Sequence, residues 1–174
     1  EIFLKLDRVQ NHLYLDESIS WQQTNETIYK LKTTASKKWN WKSLNTYHQL
    51  CYNWTSNRAI FRVPTYHFKS DLYIKSSLFH DAMMAKLGVS VDYFKEYYAL
   101  AYSPVIVEMY LQNNQLIGNY PLATAFFETE IQSATIRLQL RNVSDFFLDD
   151  AHYILPGYPY NPMALEFGVR WELQ

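Results

Sequence analysis

The chain has 174 residues, 48% of them hydrophobic and 17% aromatic, with 16 basic against 17 acidic side chains and a formal charge of -1. Four glycines and six prolines are too few for a low-complexity or disordered chain, and near-neutrality without a basic run removes the electrostatic footprint of a nucleic-acid binder. The lone cysteine, Cys51, excludes an internal disulfide or a cysteine-based zinc site, and reads as a small buried or lipid-facing residue.

Taken in chain order, the sequence alternates apolar and polar side chains with period 2, the mark of strands with two unlike faces. Ile2, Leu4 and Leu6 against Lys5 and Asp7 open the series. Tyr29, Leu31, Thr33 and Ala35 oppose Lys30, Lys32, Thr34 and Ser36, and a turn around Lys37 to Trp41 leads into a strand over 43–55. There His48 falls on the apolar face with Leu44, Leu50 and Tyr52. Leu72, Ile74, Ser76 and Leu78 oppose Asp71, Tyr73, Lys75 and Ser77; a tight turn near His80-Asp81 follows. The stretch Leu78 to Leu87, with Ala82, Met83 and Met84, is locally ambiguous with a helix.

The next strand sets Ala85, Leu87, Val89, Val91 and Tyr93 against Lys86, Gly88, Ser90 and Asp92. Ala123 to Ile131 and Ala134 to Arg141 alternate on either side of a very short joint at Gln132-Ser133. The last strand runs from Met163 to Leu173, with Phe167, Val169 and Trp171 on one face and Glu166, Gly168 and Arg170 on the other. The pattern therefore predicts an all-β chain: an antiparallel meander of about eight strands. Tight turns lie at one end, and long joins near 16–26, 56–66, 97–120 and 149–162 lie at the other.

Alternation leaves open whether the apolar face is buried, as in a soluble ligand-binding β-barrel of lipocalin type, or faces lipid. Three features point to lipid. Strands of about ten residues match a tilted membrane-spanning strand. The polar face carries closely spaced charges of both signs, which suit a water-filled or ion-paired lumen: Lys86, Asp92, Glu128, Glu130, Arg137, Arg141, Glu166 and Arg170. Aromatics gather toward strand ends, among them Trp39, Trp41, Trp54, Tyr93 and Trp171, as interfacial girdles do. No segment is apolar for the roughly 20 residues a spanning helix needs; the most apolar, Tyr97 to Leu111, is broken by Ser103, Pro104 and Glu108.

Catalytic chemistry finds no motif. His12, His48, His67, His80 and His152 lack the spacing of a metal site, and no cofactor is implied. A hydrolase couple of His48 with a serine on a neighbouring strand would still need an oriented base and an oxyanion site, and no motif supplies them.

One stretch of sequence carries a resemblance. Tyr97-Tyr98, Ala101-Tyr102-Ser103-Pro104, Gln112, Gly118-Asn119-Tyr120-Pro121, Pro156-Gly157-Tyr158-Pro159 and the closing Phe167-Gly168-Val169-Arg170-Trp171 resemble the C-terminal part of the putative porin family of Bacteroidota-type outer membranes. Arg62-Val63-Pro64 fits the same pattern, and the resemblance covers roughly residues 45–174. It implies a transmembrane barrel in a bacterial outer membrane, of which this chain is the C-terminal section, with further strands upstream of Glu1. The rival is an eight-stranded barrel closed on itself.

The expected function is a porin-like channel for passive diffusion of small hydrophilic solutes, with no enzymatic activity. The expected partners are outer-membrane lipid and other barrel subunits. The alternative is a non-conducting accessory barrel in an envelope secretion or uptake complex. The long join from Tyr97 to Pro121, with Tyr98, Tyr102, Pro104, Gln112, Gly118, Asn119 and Tyr120, is too aromatic for disorder. It reads either as a constriction folded into the mouth or as a cap.

Overall fold

A computed structural model describes residues 1–80, 82–148 and 152–172. Eight strands form one antiparallel sheet in simple sequence order: β1 (Ile2–Val9), β2 (Ile28–Trp41), β3 (Leu44–Thr55), β4 (Tyr66–Leu78), β5 (Met83–Phe94), β6 (Leu122–Ile131), β7 (Ala134–Arg141) and β8 (Ala164–Trp171). The sheet is open among the described residues, because the outer edges of β1 and β8 carry no paired strand. The expected antiparallel meander of about eight strands is present, and the rival expectation, eight strands closed on themselves, is not what these strands form. Antiparallel neighbours need only short connections, and three of the links are short: Lys42–Ser43, residues 79–82 and Gln132–Ser133.

Several boundaries differ from the sequence expectation. The first hairpin turns at Lys42–Ser43 rather than over Lys37 to Trp41, since Trp41 pairs with Leu44 and Lys37 with His48 inside the ladder. Lys42 and Gln132, the first residues of the two-residue turns, take the left-handed φ of 52°, a conformation that fits the strand twist but that side chains do not announce. The stretch ambiguous with a helix is a strand end: Leu78 pairs with Met83, and Asp81 lies outside the described residues. The last strand is shorter than expected, eight residues from Ala164, and Leu173 is outside the description.

Three of the four long joins carry secondary structure of their own, while the second, over 56–65, holds only turns and bends. The first pairs Leu13–Leu15 with Trp21–Gln23, and the third pairs Tyr97–Tyr98 with Leu116–Ile117 and Ala101–Ser103 with Glu108–Tyr110. The last holds a 3₁₀ turn at Val143–Phe146 and a Tyr153–Leu155/Tyr158–Pro159 pair.

Most of the buried apolar side chains sit in this join end rather than between sheet layers: Leu15, Ile28, Ala99, Ala101, Leu111, Ile117 and Tyr120. The apolar face of the sheet is bare. Leu6 is 68% exposed, Leu87 62%, Leu138 42% and Phe167 69%. Trp39, Trp41 and Trp171 stand on the same face near the short-turn end, and Trp54 and Tyr66 near the join end. Strands β2 to β5, of 12 to 14 residues, exceed the 9 to 11 residues of a tilted membrane crossing. At mid-sheet Gly88 lies opposite Tyr73, where an added Cβ would come within 2.4 Å of the Tyr73 Cβ and the Leu72 carbonyl. Only glycine admits that approach.

Candidate functional site

The opposite face of the sheet collects the charges. Register places Glu128 directly between Lys86 on β5 and Arg137 on β7. Lys86 Nζ donates to Glu128 Oε1 at 2.8 Å and to Glu130 Oε1 at 2.6 Å. Arg137 approaches Glu128 Oε2 at 3.2 Å, donates from Nε to Gln139 Oε1 at 2.9 Å, and lies 4.8 Å from the Phe126 ring centroid. Gln139 donates to Glu166 Oε2, and Arg141 to Glu166 Oε1 at 3.3 Å. Lys86, Glu128, Glu130, Arg137, Arg141 and Glu166 thus form one network across β5 to β8. Side chains of opposite charge on adjacent strands hold one another only where parity and register agree, and here both do.

Two expected members stand apart. Asp92 faces β4, where it meets His67 Nε2 at 2.7 Å and Lys69 Nζ at 3.1 Å. Arg170, near the short-turn end, reaches only Glu172 at 3.2 Å, with both side chains about 70% exposed. The sequence reading passed over Asp71, Tyr73, Ser90 and Phe126, which complete a cleft of about 300 Å³ around Lys86, Glu128 and Arg137. Their signal was present, because they share the parity of Lys86 and Glu128 along their strands. The same parity places Lys5, Asp7, Lys30, Lys32, Lys38, Lys69 and Lys75 on this charged face in β1 to β4. Cys51 lies there too, buried, with Thr34 and Asn53 each 3.7 Å from its sulfur; it is not lipid-facing.

At the join end the 95–121 segment is held at several points. Gln112 is buried and clamps its own loop: Nε2 donates to the carbonyls of Ala99 and Gln115 at 2.7 and 2.9 Å, and Oε1 accepts from the backbone of Asn114 and Gln115. Tyr98 pairs with Leu116 and Tyr102 with Met109, so both belong to short ladders. Gly118, at φ 105°, packs so closely that an added Cβ would sit 2.8 Å from the Phe94 ring. Asn119 accepts from the Tyr93 hydroxyl at 2.7 Å. Tyr120 donates to Asn142 Oδ1 at 2.6 Å and stacks on His152. Pro104 lies in the exposed turn beside Val105 and Val107.

The segment touches every other join. The Leu111 amide donates to the Leu15 carbonyl, Asn113 meets Glu17 and Arg62, Gln115 accepts from the Gly157 amide, and Tyr102 lies edge-on to Tyr158. Burial lowers the proton affinity of the Arg62 guanidinium and raises the phenol pKa of Tyr97, Tyr120 and Tyr160. Asp16 is held below the usual carboxylate range, first by the Ser18 hydroxyl and then by the Ser20 amide.

His48 and Ser70 do meet across strands, Nδ1 to Oγ at 2.9 Å, but on the bare apolar face, with Trp39 edge-on and Phe68 stacked against the imidazole. Among the described residues no carboxylate hydrogen-bonds to the ring. Nor does any group of three or more His, Cys, Asp or Glu come together there as a metal site.

No curated protein and no solved structure matches the chain. A family model described as "Putative porin" matches residues 1–174, extending the resemblance over the β1 and β2 region that it did not cover in the sequence. The chain belongs to the putative porin family.

Proposed function

We propose that this chain forms the wall of an outer-membrane channel that passes small hydrophilic solutes by diffusion. The observation that carries the reading is the inversion of the sheet: its leucines, phenylalanines and tryptophans are bare, while its carboxylates and guanidinium groups face one another. A soluble sheet hides its apolar face against a second layer; a membrane barrel presents it to lipid and keeps the polar face wet. Membership of the porin family supports the same reading.

Such a sheet must close in the membrane. Each unpaired backbone group on an open edge in hydrocarbon costs several kcal/mol, and β1 and β8 both present such edges. They meet one another or further strands of the barrel, as the expected C-terminal section of a larger barrel would. The 95–121 segment then serves as a cap over the mouth, because its contacts run to the other joins. Lys86, Glu128, Arg137, Arg141 and Glu166 line the wall of the passage, with Glu130, Asp92 and Arg170 beside them.

Reconstitution of the complete protein in planar bilayers tests the proposal. Stepwise ion conductance is expected. A sealed bilayer containing correctly folded protein contradicts it and favours the non-conducting accessory barrel. Deleting residues 103–116 then reads the join: an unchanged conductance fits a cap, and an enlarged one a constriction.

A further inference from the structure

We propose that the passage prefers anionic solutes, because lysines on the inner face of β1 to β4 outnumber the carboxylates that could neutralise them. This rests on the channel reading above and names the solute class it favours.

The two halves of the inner face differ in how their charges are met. On β5 to β8, Lys86, Arg137, Arg141 and Arg170 each have a carboxylate within 3.3 Å. Charge there is balanced locally, and a passing ion sees dipoles rather than a net field. On β1 to β4 the six inward lysines, Lys5, Lys30, Lys32, Lys38, Lys69 and Lys75, share a face with Glu1, Asp7 and Asp71. Lys5 and Lys30 both lean on Asp7, at 3.2 and 3.8 Å, so one carboxylate serves two ammonium groups. Lys69 is held by Asp92 from β5. Lys32, Lys38 and Lys75 are exposed and have no carboxylate within 4.0 Å among the described residues. Lys38 lies only over the Tyr47 ring, 5.6 Å from its centroid.

Their placement along the strands makes a ladder rather than a cluster. Lys32 is opposite Asn53 near the join end; Lys38, opposite Tyr47, and Lys75, opposite Lys86, lie toward the short-turn end. A solute crossing the passage stays near one of them at successive depths. At physiological salt the field of each reaches about 8 Å, so the lysines act on solutes near the wall and give a graded preference rather than exclusion of cations. Carboxylate- or phosphate-bearing small molecules are the solutes such a wall would favour, since an ammonium group pairs with both.

The test is the reversal potential of the complete protein in planar bilayers under a potassium chloride gradient. The expected result is a chloride-to-potassium permeability ratio above one, on the order of threefold for exposed charges in screened water. Replacing all three free lysines, Lys32→Gln, Lys38→Gln and Lys75→Gln, is expected to bring the ratio toward one without loss of conductance. Arg8→Gln, on the opposite face beside Tyr29, leaves the ratio where it was. A conducting protein whose ratio is one or below overturns the anion preference while leaving the channel intact. A chloride preference that survives the triple substitution overturns its assignment to these lysines. Absence of any current from folded protein overturns the channel reading and this inference with it.

Discussion

Lys86 sits directly opposite Glu128 across the β5–β6 ladder, with its ammonium group 2.8 Å from Glu128 Oε1 and both side chains mostly covered. The pair joins a lysine and a glutamate 42 residues apart, and Glu128 passes the contact on to Arg137. Lys86→Met leaves Glu128 and Glu130 short of a partner in a mostly covered site, at a cost of about 1.5–3 kcal/mol, the range for hydrogen bonds to charged groups. Urea unfolding in detergent measures it. The double variant Lys86→Met with Glu128→Gln is expected to lose less than the sum of the singles, because the two act through one interaction.

Neighbouring residues on β5 point to opposite faces, and the consequences of charging them differ. Val89→Arg places a cation on the bare apolar face, where a mid-membrane arginine costs about 2–4 kcal/mol in a barrel. Ser90→Arg, one residue on, faces Asp71 across the ladder and is expected to be tolerated. Folding yield into lipid vesicles separates them. Equal yields for the two would mean that the faces are misassigned.

Gly118 combines a φ of 105° with close packing against Phe94, whereas Gly157 has a φ of 81° and open space where a Cβ would go. Gly118→Ala adds a clash to the backbone strain and is expected to cost about 2 kcal/mol; Gly157→Ala carries only the strain, about 1 kcal/mol. Limited proteolysis of the 95–121 join reads the difference, with faster cleavage in the first variant.

Burial raises the pKa of Tyr97, Tyr120 and Tyr160 in the join cluster. A folded pKa above the unfolded value of about 10 favours the neutral phenol. Stability from these groups is therefore complete below pH 10 and is lost as the pH rises through the folded values. Phenolate absorbance should appear together with protease sensitivity of the joins above pH 10. Tyr120→Phe is expected to retain the stacking on His152 but lose the bond to Asn142, loosening the join cluster at every pH.

The sheet was legible because its signal is local. Leu87, Val89 and Val91 alternating with Lys86, Gly88 and Ser90 state a two-faced strand without reference to anything distant. The turn at Lys42–Ser43 was not legible, since a lysine in a left-handed conformation carries no turn chemistry and Trp39 and Trp41 read equally well as loop aromatics. Parity found the charged face of the sheet, but parity alone cannot tell that Asp92 looks toward His67 and Lys69 rather than into the Glu128 network. That depends on rotamers and on which neighbour lies within reach. The short ladders in the joins were hidden for a related reason: pairs such as Tyr97–Tyr98 with Leu116–Ile117 are too brief to show a period, and they are held by Gln112 and Gly118 rather than by pattern. The barrel was expected from strand length, charges on the polar face and aromatics at strand ends, none of which says what pairs with the outer edges of β1 and β8, and those edges are open among the described residues.

Which face meets water is most directly read by cysteine labelling of the complete protein in lipid vesicles, with Cys51 first replaced by serine. Single cysteines at Leu87, Val89, Ser90, Val91 and Asp92, leaving Gly88 in place, are tested with a charged maleimide and, in parallel, with a lipid-borne quencher acting on an attached fluorophore. The structure predicts maleimide labelling at positions 90 and 92 and quenching at 87, 89 and 91. The reverse pattern, or labelling of all five alike, would contradict a wet polar face and a lipid-facing apolar one.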